Sequence, residues 1–295
     1  MSTKLLIPIL NNNVTLFKGP TWYLSPDISI ETISAEYFGL IYAFASEEYK
    51  SLISAKSKCI IIDNINPDIS TGIAITQGLI VSFILNYFKR LHPVVISFAI
   101  QLTKKKKSKI DKILDLPIIA DARLQRGNRY HIKADLKRDT VSDFYKVVNA
   151  VHIKHPNITI SLERFNSSLL RFQLHDRIID ITISLESLIN GTTELRNRFS
   201  MYNAWVAEAD SKKRTDCFKL LGFLYDARSA IVHGQSMKEK EYRKKIDPIL
   251  ARWEEVIKVA ERALGYHLLY VYTNSIEKWY KHQENLVLGI ERRIA

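Results

Sequence analysis

Residues 220–234, LLGFLYDARSAIVHG, are the most informative stretch of the chain. Leu220, Leu224, Ala227 and Ile231 recur at helical spacing and make one apolar stripe, and Leu221, Phe223 and Val232 widen it. The spacing predicts a largely buried helix. The same helix carries Asp226, Arg228 and His233, and a mostly buried helix does not keep an arginine without a partner. On periodicity alone, an Arg228–Asp226 or Arg228–Glu186 ion pair with a satisfied core histidine accounts for these residues. Removing Arg228 is then expected to leave Asp226 or Glu186 without a counter-ion.

Outward from this stretch, apolar residues recur mostly at helical spacing from Asp139 onward, and only Pro156 and Pro248 interrupt them. Helices are expected at residues 158–174, 176–190, 193–208, 214–233, 240–272 and 274–288. Asn190-Gly191 and Gly234 supply stop signals, and Thr192 or Thr193 is expected to cap the helix that follows. Consecutive helices with short connections make a bundle. Pro156, in His155-Pro156-Asn157, marks the expected hinge between an N-terminal domain, 1–156, and a helical domain, 157–295.

The first half mixes element types. Residues 4–10, 14–17, 59–62 and 93–100 are short, apolar and strand-like, and 130–135 alternate as a half-exposed strand does. Residues 35–49 and 69–88 read as helices. The expected class is therefore α+β: a mixed N-terminal domain followed by an all-α bundle.

Composition narrows the function classes. At 46% hydrophobic and 25% charged, the 295 residues can build a core, which argues against a disordered or fibrous chain. Cys59 and Cys217 match no metal-ligand spacing and suit a reducing compartment. The apolar stretch 72–88 contains Gln77, Ser82 and Asn86 and is shorter than a membrane span, so no membrane association is expected. With no signal-peptide pattern at the N-terminus, the expected location is cytoplasmic. Lys plus Arg is 43 against 31 Asp plus Glu, a net charge of +12, which suits a polyanionic partner such as RNA or simple solubility.

Four segments carry a resemblance. They are Asp176-Arg177-Ile178-Ile179-Asp180, Leu185-Glu186-Ser187-Leu188, Thr193-Glu194-Leu195-Arg196, and Tyr225-Asp226-Ala227-Arg228-Ser229 with His233-Gly234. In order and spacing, across residues 157–295, they resemble the Apea-like group of the HEPN superfamily, whose ribonuclease signature is an arginine and a histidine four to six residues apart. Here Ser229, Ala230, Ile231 and Val232 separate Arg228 from His233. The resemblance implies a helical bundle, RNA endonuclease activity without a metal or other cofactor, and a homodimer whose paired Arg-His sites line one cleft. It also implies a role as a toxin or anti-phage effector that cuts tRNA or other cellular RNA. It does not reach residues 1–150, which are left to sense a trigger, hold substrate or bind a regulatory protein.

The residue types suit that chemistry. Histidine titrates near 6.5 and serves as base or acid, while arginine binds phosphate oxygens bidentately and stabilises transition-state charge. His233, in the last turn before Gly234, lies where the helix dipole favours imidazolium. Five residues on an ideal helix set Arg228 and His233 about 140° apart and about 7.5 Å along the axis, so one chain's pair makes a loose site. Asp226 and Ser229 border it, positioned to orient His233, bind RNA or satisfy local hydrogen bonds, and Glu186 is a further candidate partner for Arg228.

Other candidates are less specific. Lys104, Lys105, Lys106 and Lys107, with Lys109, suit an RNA backbone or a solvated face. Arg123, Arg126, Arg129 and Tyr130 interleave arginine with an aromatic ring, as single-strand binders do. His152 and His155 lack a third ligand nearby, so no metal site is assigned. Gln235 stands where toxins silenced by AMP transfer carry a tyrosine. The competing readings are a non-catalytic HEPN module for dimerisation or RNA binding, and a helical scaffold with no nucleic-acid role.

Overall fold

The computed structural model describes residues 3–9, 21–44, 57–65, 81, 98–103, 109–115, 138–152, 155–171, 173–189, 194–234, 238–291 and 293. The layout is α+β, with an antiparallel sheet in the first half and helices throughout the second. The chain divides into two compact units: Met1–Asn149 with Leu169–Phe172, and Ala150–Ser168 with Gln173–Ala295.

In the first unit the strands are β1 (Thr3–Pro8), β2 (Thr21–Ser25), β3 (Ile28–Thr32), β4 (Lys58–Ile65), β5 (Phe98–Thr103) and β6 (Lys109–Asp115). They form one six-stranded sheet in the order β2-β3-β4-β1-β5-β6, every pair antiparallel. Leu5, Leu6 and Ile7 are buried in succession, as are Cys59, Ile60, Ile61 and Ile62, so β1 and β4 are covered on both faces. The Cys59 thiol is pushed up by that burial. Ser34 caps helix α1 (Ala35–Phe44) by accepting from the Tyr37 amide at 3.2 Å.

Three strands go beyond the sequence expectation. β2 and β3 form a hairpin around Pro26-Asp27, with Leu24, Ile28 and Ile30 buried and polar residues between them. β6 is rich in lysine and aspartate, which masks its strand character, and it lies at the sheet edge, where charge is common. The strand expected at 93–100 runs instead over Phe98–Thr103 within the described residues. The expected elements at 14–17 and 130–135 lie outside the described residues, as does almost all of 69–88.

The helices that follow are α2 (Arg138–His152), α3 (Pro156–Leu170), α4 (Leu174–Glu186), α5 (Leu195–Ala207), α6 (Ser211–His233), α7 (Glu239–Ala251), α8 (Trp253–Thr273) and α9 (Ile276–Val287). Pro156 opens α3, where its missing N–H removes no helical bond. The helix expected at 240–272 is two helices. Pro248 takes an amide out of the ladder, and the chain breaks at Arg252, whose side chain clamps Glu255 at 2.7 and 2.8 Å. The N-cap of α5 is Glu194, in the left-handed region at φ 51°, while Thr192 and Thr193 lie outside the described residues.

α6 is the central helix of the bundle and packs against α4, α5, α7 and α8. Leu220, Leu221, Leu224 and Ala227 are fully buried, as the stripe predicts. The stripe's edges are corrected: Phe223 and Val232 are 45% and 42% exposed, and Ala230 rather than Ile231 continues the buried face. At the end of α5, Arg293, Arg262 and Arg214 donate to the carbonyls of Val206, Ala207 and Glu208, which a helix end leaves without helical partners.

α8 and α9 meet around Trp279, which is fully buried and donates from its indole N–H to Leu188 O at 2.9 Å. The His267 ring packs against Trp279 at 4.2 Å, with neither ring nitrogen hydrogen-bonded among the described residues. Burial, and secondarily His155, pulls the His267 pKa down to about 3. The unfolded chain takes up this proton near pH 6.5 and the folded chain does not, so stability falls as pH drops from about 6.5 toward 3. The expected outcome is that His267→Phe flattens the acid side of the stability curve relative to wild type. Thermal melts from pH 7 to 4 check it, and parallel curves for the two proteins contradict it.

Candidate functional site

The described residues of the four segments lie in the first half and at the end of α4, at the start of α5 and along α6. On α4, Asp180 is buried and paired with Arg164 of α3 at 2.9 Å, so this carboxylate is engaged in packing. Glu186 ends α4 half-buried, two residues before Leu188, whose carbonyl Trp279 holds. On α5, the Arg196 guanidinium reaches α6 and grips Asp226 with two parallel bonds, Nε to Oδ1 at 2.7 Å and Nη2 to Oδ2 at 2.8 Å. The bond to Asp226 and its charge raise the Arg196 pKa against a smaller opposing effect of burial.

Gly222 makes that grip fit. A Cβ at this position would lie 3.1 Å from Arg196 Nη2 and 3.5 Å from Cζ, so a larger residue crowds the guanidinium where it lies on α6. Gly222 and Asp226 are one turn apart, and together they seat and hold the arginine.

This pairing overturns one expectation about Arg228. Asp226 belongs to Arg196, not Arg228. Arg228 forms no ion pair with Glu186 among the described residues, and its Nε is buried without a hydrogen-bond partner. Glu186 and Arg228 nevertheless act on one group. The Tyr225 hydroxyl is raised in pKa by burial and then by the Glu186 charge, with Arg228 opposing. The Tyr225 ring packs on Phe199 of α5 at 5.4 Å.

His233 is no core histidine. It is exposed, the last residue of α6, with Gly234 as the C-cap at φ −82°, a value open to any residue. α6 is one uninterrupted helix, so the separation of about 140° between Arg228 and His233 holds. Ser229 is half-buried and makes no side-chain hydrogen bond to a described residue. Among the expected residues, helical spacing sets His233 on the face of α6 that holds Asp226 and Ser229, and sets Arg228 on another.

Two participants were not singled out from sequence. Arg196 was quoted only as part of a motif, and Tyr225 likewise. A lone glycine inside an amphipathic helix, at Gly222, was the available signal for the close approach of another side chain. Lys104, Lys105, Lys106, Lys107, Arg123, Arg126, Arg129 and Tyr130 lie outside the described residues. Among the described residues no three His, Cys, Asp or Glu side chains gather as metal ligands, and no helix is long and apolar enough to cross a membrane.

The new pairing changes the expected cost of mutation. Arg228→Met removes a buried, unpartnered donor and is expected to leave the melting temperature equal to or above wild type. Asp226→Asn breaks the Arg196 clamp and is expected to lower it by about 1–4 °C, since a part-exposed pair contributes up to about 1 kcal/mol. Calorimetry of the two variants decides, and a fall of many degrees in Arg228→Met alone contradicts this account of the pairing. No protein-family model, no curated protein and no solved structure matches the chain, so its chemistry is read from its own residues.

Proposed function

We propose that this chain is a metal-independent RNA endonuclease of the HEPN type, acting as a homodimer with Arg228 and His233 as its catalytic residues. The observation that carries the reading is the state of Arg228. Its neighbouring carboxylate Asp226 is engaged by Arg196, which leaves the Arg228 charge uncompensated by that group and available to a phosphate. Arg228 is half-buried, with its Nε buried and unpartnered among the described residues; this costs stability, and such cost is common where a site is kept ready for a ligand.

The reaction needs few groups. A base takes the proton of the ribose 2′-OH, whose oxygen attacks the adjacent phosphorus. The bond to the 5′-oxygen breaks, and an acid returns a proton to that leaving oxygen. The products are a 2′,3′-cyclic phosphate and a 5′-hydroxyl. His233, exposed and at the negative end of the α6 dipole, fits the acid role, and Arg228 binds the crowded phosphorane. Because the two point apart on one helix, the composite site joins Arg228 of one protomer with His233 of the other.

In this reading the first unit senses a trigger, holds substrate or binds a regulator, and the protein serves as a toxin or anti-phage effector on tRNA or other cellular RNA in the cytoplasm. Gln235 in place of a tyrosine speaks against silencing by AMP transfer.

Cleavage of cellular RNA in the presence of EDTA, with cyclic-phosphate or 3′-phosphate ends, is the expected outcome. Loss of activity in EDTA and its return with magnesium overturns the mechanism. His233→Ala is expected to reduce the rate by about 10²–10⁴-fold without unfolding the bundle. Mixing Arg228→Ala with His233→Ala restores part of the activity if the site is shared. A monomer that stays fully active on dilution contradicts the shared cleft, and a folded wild-type dimer that binds RNA without cutting it favours the non-catalytic module.

A further inference from the structure

The cation that shares a face with His233 in its own chain is Arg196, not Arg228. Measured around α6, Ser229 and His233 lie within about 20° of Gly222, and Asp226 within about 40°, while Arg228 is about 120° away. The Arg196 guanidinium rests on Gly222 and is fixed by Asp226, so it lies on this same stripe. Asp226 takes Nε–H and one N–H of Nη2. That leaves both N–H groups of Nη1 and the second of Nη2, on a side chain that is 45% exposed. Exposed Lys219 lies one turn before Gly222 on the neighbouring edge, and the unbonded Ser229 hydroxyl sits between Asp226 and His233.

We infer that Arg196 is a phosphate-binding subsite for an RNA strand laid along this stripe of α6, holding a phosphate beside the scissile one. The inference rests on the nuclease reading above for the identity of the strand. Three features make Arg196 a built site rather than a surface charge. The bidentate carboxylate behind it fixes the plane of the guanidinium, so little side-chain entropy remains to be lost on binding. Gly222 lets that plane lie close against the helix. Its free N–H groups are those not turned toward Asp226. Asp226 lies about 10.5 Å along the axis from His233, a short step along an RNA strand, so Arg196 binds substrate and takes no part in bond breaking. Asp226 is in this account a positioning residue, acting only through Arg196.

The test is the salt dependence of RNA binding by the full chain, measured with a fluorescent single-stranded RNA in a His233→Ala background that stops turnover. The informative variant is the pair Arg196→Gln with Asp226→Asn, which leaves net charge unchanged and no carboxylate without its counter-ion. A specific phosphate contact predicts that the slope of log affinity against log salt falls by about 1. A purely structural ion pair, or a response to overall charge, predicts an unchanged slope, and that result overturns the subsite. Gly222→Ala, which keeps both charges but crowds the guanidinium, is the second variant and is expected to weaken binding with the melting temperature held or raised. Unchanged affinity in folded Gly222→Ala also counts against the subsite. The two levels fail separately. Wild type that binds RNA with an Arg196-dependent slope but never cuts it keeps the subsite and sinks the nuclease, while cleavage with an Arg196-independent slope does the reverse.

Discussion

The bidentate bond between Arg196 and Asp226 is the interaction that sets which charges along α6 are paired and which are open. It ties the start of α5 to the middle of α6 across thirty residues of sequence and needs Gly222 to leave room for the guanidinium. Its larger consequence concerns Arg228, two residues on, which is left without the obvious carboxylate. One helix therefore carries a satisfied arginine contact on one face and an unsatisfied arginine on another. The proposed chemistry uses that difference. A pair already closed within the chain orients substrate, and a group still open stabilises developing charge.

Much of this was legible in the residues and some was not, for reasons that can be named. The α+β layout and the buried stripe of Leu220, Leu224 and Ala227 follow directly from periodicity. Phe223 and Val232 were assigned to the core because apolarity alone does not set which way a helix faces, and Ala230 is buried instead. The β2–β3 hairpin was missed because only Ile28-Ser29-Ile30-Glu31 alternates, while Trp22-Tyr23-Leu24 runs apolar without a period. β6 was obscured by its charges, which a strand at a sheet edge tolerates. The break at Arg252 lies four residues after Pro248, so the signal was present one turn early.

The candidate residues could be named from sequence, but their pairing could not. Asp226 and Arg228 are adjacent in sequence pattern, which makes their ion pair the natural expectation. On a helix, residues two apart do not face each other. Only the fold brings Arg196 to Asp226, since no local rule links positions on different helices. The aromatic cluster between α8 and α9 was likewise invisible. Tyr266 and Tyr270 stack with His282, whose Nε2 meets the Tyr266 hydroxyl at 2.9 Å and whose Nδ1 meets Glu291. Together with Trp279 this cluster joins α8 to α9 and, through Leu188, holds the turn that carries Glu186.

The central claim is that Arg228 is kept open for an RNA phosphate. The most direct measurement is sequencing of cellular RNA ends after brief induction of the wild-type chain and of Arg228→Ala at matched protein levels. The account predicts a defined set of new 5′-hydroxyl ends with wild type that disappears with Arg228→Ala although that variant remains folded. The same ends at the same abundance in both would show that Arg228 does not take part, and the claim would fall.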